Sequence, residues 1–407
     1  LKKESIQVAL AYVGVLVGAG LSSGQDLLQY FLSFGFPGLI GVIALGVLNI
    51  IFGKILLTLG CYYQSKNHQE VLKKISSPIV NKIIDLTLII ASFVIGFVMV
   101  AGAGANLEQQ FAIPAWAGSA LCSILILLTA FLDFDKITKV LGIFTPVMIV
   151  LLTLIMIYTL WTRPLDMMYY HQHALHIKSA LPNLWMSVLN YFSLCVITGV
   201  SMAFVLGGSL VRIGVAEKGG LLGGTLVGLI LLSASISLYF HIDVVSQSEI
   251  PMLMIVKQIH PWLATIYAFM IFGLIFNTAF SLYYSLAKRF FNHSVKKTRI
   301  CLFIIVILGY LCSFVGFKEL IGYMYPILGY VGFVLIASVL WAWIRHKEDV
   351  SVEKRRRRKI ISLLHKKQDR KQYYSQKDKD LLMMLDQNSS VKQEDVLRYL
   401  KSAQMSE

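Results

Sequence analysis

The run Gly18-Ala19-Gly20-Leu21-Ser22-Ser23-Gly24-Gln25-Asp26 gathers small and polar residues inside the first apolar stretch of the chain. No Lys or Arg occurs between Ile6 and Phe34, a length that can cross a hydrocarbon core of about 30 Å. At the centre of that crossing helix propensity falls, since Gly costs about 1 kcal/mol relative to Ala inside a helix. Backbone groups freed at such depth need protein or a water-filled cavity around them, and in transporters that place is commonly the substrate site. Ser22 and Gln25, and Ser23 and Asp26, stand three apart, the spacing of capping boxes. The run therefore predicts two half-helices, the second beginning near Ser22 to Gly24 with its N–H groups facing the cavity. An anionic group suits those N–H groups. The carbonyls ending the first half, from Val17 to Ala19, suit an amine or a bare cation. No strand precedes the run and no G-K-[ST] follows it, so nucleotide binding is excluded.

The elements that must position this run are helices in a membrane. Of 407 residues 57% are hydrophobic and 14% charged, which excludes a soluble domain with a large core. No removable signal peptide is visible at the start of the sequence. Apolar runs predict ten spans, at 6–34, 37–63, 83–107, 113–132, 140–161, 183–211, 219–240, 261–287, 300–317 and 320–344. With the N-terminus inside, fifteen Lys and Arg precede the tail on inner segments, against Arg163, Lys178, Lys257 and Lys318 outside. That asymmetry places both termini in the cytoplasm of a multi-pass cell-membrane protein. Asp26 is expected to cap the second half-helix and to take part in a gate. Lys54 is expected to snorkel toward the cytoplasm, and Asp85 and Glu108 to sit at the two interfaces.

A repeat gives the first span a partner. A shift of 179 superposes Tyr12 on Tyr191, Gly20 on Gly199 and Ser22 on Ser201, and lays each of the first five spans on one of the last five. Five is odd, so the second half enters from the opposite side. The expected fold class is an all-α membrane protein with ten transmembrane helices in an inverted 5+5 repeat, 1–162 and 183–345, with helices 1 and 6 both discontinuous. The second break is expected at Thr198-Gly199-Val200-Ser201, and the binding site at the midplane between the two breaks.

This layout resembles the LeuT-type fold of the amino acid–polyamine–organocation superfamily. The string GAGLSSGQD resembles the G-A-G-[FL]-x-S-G-Q-[ED] opening of the YkvI-type bacterial membrane proteins. The resemblance implies a substrate site at Gly18, Ala19, Gly20, Ser22, Ser23 and Gly24, faced by Thr198, Gly199 and Ser201. It also implies a coupling-ion site for Na⁺, formed by the carbonyls of Val17 and Gly20 with the hydroxyls of Thr278 and Ser281, and Asn277 beside them. Thr278 and Ser281 can equally bond back to their own helix. Some sodium-independent members hold a lysine there, and span 5 offers only Lys139 at its mouth.

The function implied is secondary active transport of a small organic solute, an amino acid or related zwitterion, by alternating access coupled to Na⁺ or H⁺. Phe93, Phe97, Phe269, Phe272 and Phe276 are candidates for its apolar surroundings. An enzyme is not expected, because the spans hold no paired midplane carboxylates, no H-E-x-x-H and no Ser/His/Asp set. No cofactor is expected. His171, His173 and His176 lie in a surface segment without the thiols or carboxylates of a metal site, and the five cysteines form no C-x-x-C pair. After Arg345 a basic tail, 346–407, begins. Its 354–371 stretch suits anionic lipid headgroups rather than nucleic acid, and two short helices follow at 375–386 and 390–402. The alternative function is a transporter-like sensor or adaptor that signals through this tail.

Overall fold

A computed structural model describes residues 2–16, 22–64, 68–129, 144–291, 294–368, 374–391 and 393–404. Capping groups and prolines in the sequence set many of the helix starts. Ser77 Oγ accepts the N–H of Val80 at 3.4 Å, Asn183 Oδ1 those of Trp185 and Met186 at 2.8 and 3.3 Å, and His260 Nδ1 that of Trp262 at 3.1 Å. In chain order the helices are α1 (Lys2–Leu16), α2 (Gln25–Tyr30), α3 (Phe36–Tyr63), α4 (His68–Ile75), α5 (Pro78–Phe111), α6 (Ala115–Thr129) and α7 (Phe144–Thr162). Then come α8 (Met167–Ala174), α9 (Leu184–Gly208), α10 (Ile213–Tyr239), α11 (Ile242–Val245), α12 (Pro251–Ile259) and α13 (Pro261–Phe290). The last are α14 (Val295–Cys312), α15 (Phe317–Gln368), α16 (Gln376–Gln387) and α17 (Gln393–Gln404). Among the described residues α3, α5, α9, α10, α13 and α15 are each long and apolar enough to cross a membrane.

The helices gather into two bodies. In the first, α3 packs along α10 and α9, and α1 lies against α10 and α9. Glycines let these backbones meet: a Cβ at Gly53 would stand 2.6 Å from the carbonyl oxygen of Gly220, and one at Gly60 would stand 2.5 Å from that of Phe204. In the second body α5 packs on α13, α6 and α14. The long α15 touches both, lying against α9 and α5, and α7 reaches α10 and α13. Each body thus draws two spans from either half of the chain.

One expectation needs correction. The span expected to break at Thr198–Ser201 is one uninterrupted helix, α9, from Leu184 to Gly208. A lone glycine costs about 1 kcal/mol there, and neither a proline nor a second glycine flanks it. Gly199 is buried, and the Thr198 hydroxyl returns to the Cys195 carbonyl at 2.9 Å, so the backbone ladder stays closed. α15, 52 residues long, runs without interruption from Phe317 past residue 345 to Gln368. Along that extension Lys354, Arg356, Arg357 and Lys366 pair with Glu217, Glu353, Glu353 and Asp378. Among the described residues of the stretch, Arg355, Arg358, Lys359 and Lys367 are exposed bases.

The expected surface segment at 163–182 holds α8, whose His171 Nδ1 accepts the N–H of Phe36 at 3.2 Å. His173 Nδ1 meets the carbonyl of Tyr169 at 2.9 Å. Both histidines serve the local structure.

Candidate functional site

Among the described residues span 1 is interrupted at Gly24. α1 ends at Leu16, α2 begins at Gln25, and Gly24 between them is left-handed at φ 78°, a conformation that glycine adopts at little cost. A side chain at Gly24 would also collide with Leu238 of α10 and Met252 of α12, both 2.9 Å from a Cβ. Val17, Gly18, Ala19 and Gly20 lie outside the described residues.

The two capping boxes do not form. Gly24 is the cap, with no side-chain bond of its own. Ser23 Oγ accepts the N–H of Gln25 at 3.3 Å, and Asp26 Oδ1 accepts that of Leu27 at 3.0 Å. Ser22 and Ser23 are helical ahead of the left-handed Gly24, so Ser23 and Asp26 each cover one of the first N–H groups of α2. Those groups are already satisfied from within the chain.

The other oxygen of Asp26 faces α9, where the Tyr191 hydroxyl donates to it. Asp26 is 2% exposed, and several further buried polar contacts surround it. The ring of Tyr30 lies 5.1 Å from that of Tyr191, and its hydroxyl donates to Asn190 Oδ1 at 3.2 Å. Asn190 Nδ2 in turn donates to the carbonyl of Pro326, in α15, at 2.9 Å. Gln29 Nε2 reaches the carbonyl of Lys318 at 3.0 Å. From the second body, the Tyr267 hydroxyl donates to the carbonyl of Ser22 at 2.9 Å. The short second half of span 1 is therefore tied to α9, α13 and α15 together.

Among the other candidates, Thr198 is exposed, Gly199 buried and Ser201 half-buried. The Thr278 hydroxyl donates to the Leu274 carbonyl of its own helix at 2.9 Å, while Ser281 and Asn277 are half-buried on the same helix. Asn277 Oδ1 is a buried acceptor without a hydrogen-bond partner. Phe97 and Phe276 are buried, the latter stacked on Phe280 at 6.0 Å. Phe269 is exposed and packs on Phe111 at 5.5 Å, which removes it from the apolar surroundings of the break. Lys54 lies 5.8 Å over the ring of Trp343, and Asp85 pairs with Arg289. Lys139 is outside the described residues. A cavity of about 150 Å³ between α5, α6 and the start of α15 is lined by Glu108, Ser119 and Glu249. Burial pushes the Glu249 carboxyl above the usual glutamate range, against the Lys318 N–H that it accepts at 3.0 Å.

Sequence reasoning missed Tyr191, Tyr30, Asn190 and Tyr267 as partners of the break. One signal was present, because the shift that superposes Gly20 on Gly199 also superposes Tyr12 on Tyr191.

No family model matches the chain. It is 27% identical over 343 residues to the membrane protein YkvI of Bacillus subtilis (strain 168), covering 83% of this chain and 96% of that one. It is 26% identical over 333 residues to YyaD of the same organism, covering 81% and 94%. Among solved structures, the inward-facing conformation of Mhp1 superposes with a TM-score of 0.58 at 13% identity, over 83% of this chain and 75% of the other. MhsT in complex with L-phenylalanine superposes with a TM-score of 0.57 at 15% identity, over 97% and 98%. With its interrupted first span and two-body packing, the chain is a relative of the YkvI-type membrane proteins built on the LeuT-type fold.

Proposed function

We propose that the protein is a secondary active transporter of a small organic solute, an amino acid or related zwitterion, working by alternating access with Na⁺ or H⁺ as coupling ion. The observation that carries this is the interrupted span 1, wedged between two separately packed bodies, with a buried carboxyl in its second half. A polar break at that depth is tolerated beside a cavity, and movement of one body against the other would open it to either side. The solute would lie between Gly18–Gly24 and the Thr198–Ser201 face of α9. Asp26 and Tyr191 would act as the gate that closes α2 on α9. Val17, Gly20, Thr278, Ser281 and Asn277 would hold the ion, and the unpaired Asn277 Oδ1 supports an oxygen-donor site there. The ten crossings with both termini cytoplasmic belong to the same proposal, as does contact of Arg355, Arg358 and Lys359 with anionic lipid.

The test is a thermal-shift screen of the purified protein against amino acids and organic cations, with and without Na⁺, followed by uptake into proteoliposomes. The expected result is stabilisation by a narrow group of amino acids, lost in Gly20→Val, whose branched side chain would fill the cavity. Full ligand-induced stabilisation in Gly20→Val would sink the site. Uptake by no member of the screen's positive group would sink the transporter.

A further inference from the structure

The tail beyond Arg345 returns to the molecule, and its anchors are selective. Arg357 is 1% exposed and Glu353 is 3% exposed. The Arg357 guanidinium donates to Glu353 Oε1 at 2.9 Å, to the carbonyls of Cys61, Tyr62 and Val211 at 3.1 Å each, and to Ser390 Oγ at 2.8 Å. One side chain thus satisfies the last carbonyls of α3, the turn between α9 and α10, and the segment ahead of α17. Glu353 accepts from Ser389 Oγ at 2.6 Å and from the Ser390 N–H at 3.1 Å. Lys354 pairs with Glu217 of α10. Leu382, Val391, Val396 and Leu400 close over Ile360 and Val211 as a small apolar core.

The last helix then reaches span 1. The Tyr399 hydroxyl donates to Glu4 Oε1 at 2.6 Å, and the Arg212 guanidinium lies 5.3 Å over the Tyr399 ring. Every one of these anchors falls on α1, α3, α9 or α10, or on the turn between the last two. Those are the helices of the first body.

We infer that residues 346–404 are a clasp that fastens the start of α1 to α3, α9 and α10 so that the four move as one piece, with the Tyr399–Glu4 contact as its releasable catch. The two parts differ in kind. A buried ion pair is tolerated only when its remaining hydrogen-bonding groups are satisfied, so the Arg357–Glu353 anchor holds as a unit or not at all. The catch includes a hydrogen bond and a ring contact at the edge of the tail, and it adds to the packing of Val8, Ala9, Tyr12 and Val13 of α1 in the first body. With the catch open, the start of α1 loosens from the first body while α3, α9 and α10 stay clasped. This goes beyond the transporter assignment, and its mechanical claim stands without it.

The test is hydrogen–deuterium exchange of the full chain in lipid nanodiscs, with no solute added. Tyr399→Phe removes only the hydroxyl and is expected to speed exchange in α1 about tenfold, the scale of one charge-assisted bond, while α5 and α13 keep their rates. Arg212→Gln, which leaves the Tyr399–Glu4 bond in place, is expected to give a smaller change in the same peptides. Unchanged α1 exchange in both variants would overturn the clasp. So would an equal acceleration across both bodies, which reports general loosening. Neither result depends on solute binding, so failure here and failure of the transporter assignment are separable.

Discussion

Two buried carboxylates of this protein sit in opposite company. Among the described residues Asp26 is held by a tyrosine hydroxyl and one backbone N–H, with no cation beside it. Glu353 is held by two arginines, two serines and a backbone N–H. The first lies where span 1 breaks and touches a helix that is separate in sequence by 165 positions. The second lies in a clasp whose partners all belong to one body. A carboxylate with few and neutral partners can change them when helices shift. One enclosed by fixed charges cannot do so without a large loss. The difference marks one region as built to rearrange and the other as built to hold.

The largest effect that would break this contrast is expected from Arg357→Met. Removing this cation leaves Arg356 as the one remaining arginine on buried Glu353 and strips the donor from the Cys61, Tyr62 and Val211 carbonyls, which costs about 2–3 kcal/mol. Limited proteolysis should then cut the tail between α15 and α17 at concentrations that spare the parent protein, and an uncut tail would show that the anchor carries little. Tyr191→Phe removes the main partner of Asp26 and should cost about 2 kcal/mol, the range for bonds to a charged group. Its effect should appear as faster exchange of α2 and of the Asn190 turn of α9, with the tail unaffected; equal rates in parent and variant would mean that the gate contact is idle.

Asp26→Asn keeps an acceptor for Tyr191 and leaves no stranded charge, so its stability should change by less than about 1 kcal/mol. A much larger drop in melting temperature would mean that Asp26 is structural in the way Glu353 is. The smallest effect concerns pH. Lys366, then the N–H and hydroxyl of Ser375, hold the Asp378 carboxyl down at about 2. Its contribution to docking of α16 is therefore complete above the ordinary aspartate value near 3.8, and it is lost as pH falls through about 2. The protection of α16, exchange corrected for the intrinsic pH dependence of amides, should stay flat from pH 7 to 4, and lost protection already at pH 5 would point to another titrating group.

The interruption of span 1 was legible because glycine, serine and the absence of lysine act locally. The way it is capped was not, since Gly24 takes a left-handed turn whose reason is the nearness of Leu238 and Met252. The break expected in α9 failed for the converse reason: symmetry with span 1 suggested it, but one buried glycine cannot outweigh an intact ladder. The polar contacts around Asp26 involve residues 22, 26, 30, 190, 191, 267 and 326, and no local pattern connects such distances. The tail's docking could be anticipated from two helices too small to stand alone. Arg357 could not be told from the three arginines beside it, because only the positions of Cys61 and Val211 decide which of the four is buried.

The length of α15 has a mechanical consequence. At about 1.5 Å per residue its 52 residues make a rod of about 78 Å. One end carries the carbonyl that Gln29 grips in the second half of span 1, and the other carries the arginine that grips the end of α3 and the turn after α9. Between them Pro326 cannot donate a backbone bond to the rod, and its carbonyl is taken by Asn190. That point is the natural fulcrum. A push on the tail and a pull on the second half-helix are then opposite strokes of the same lever.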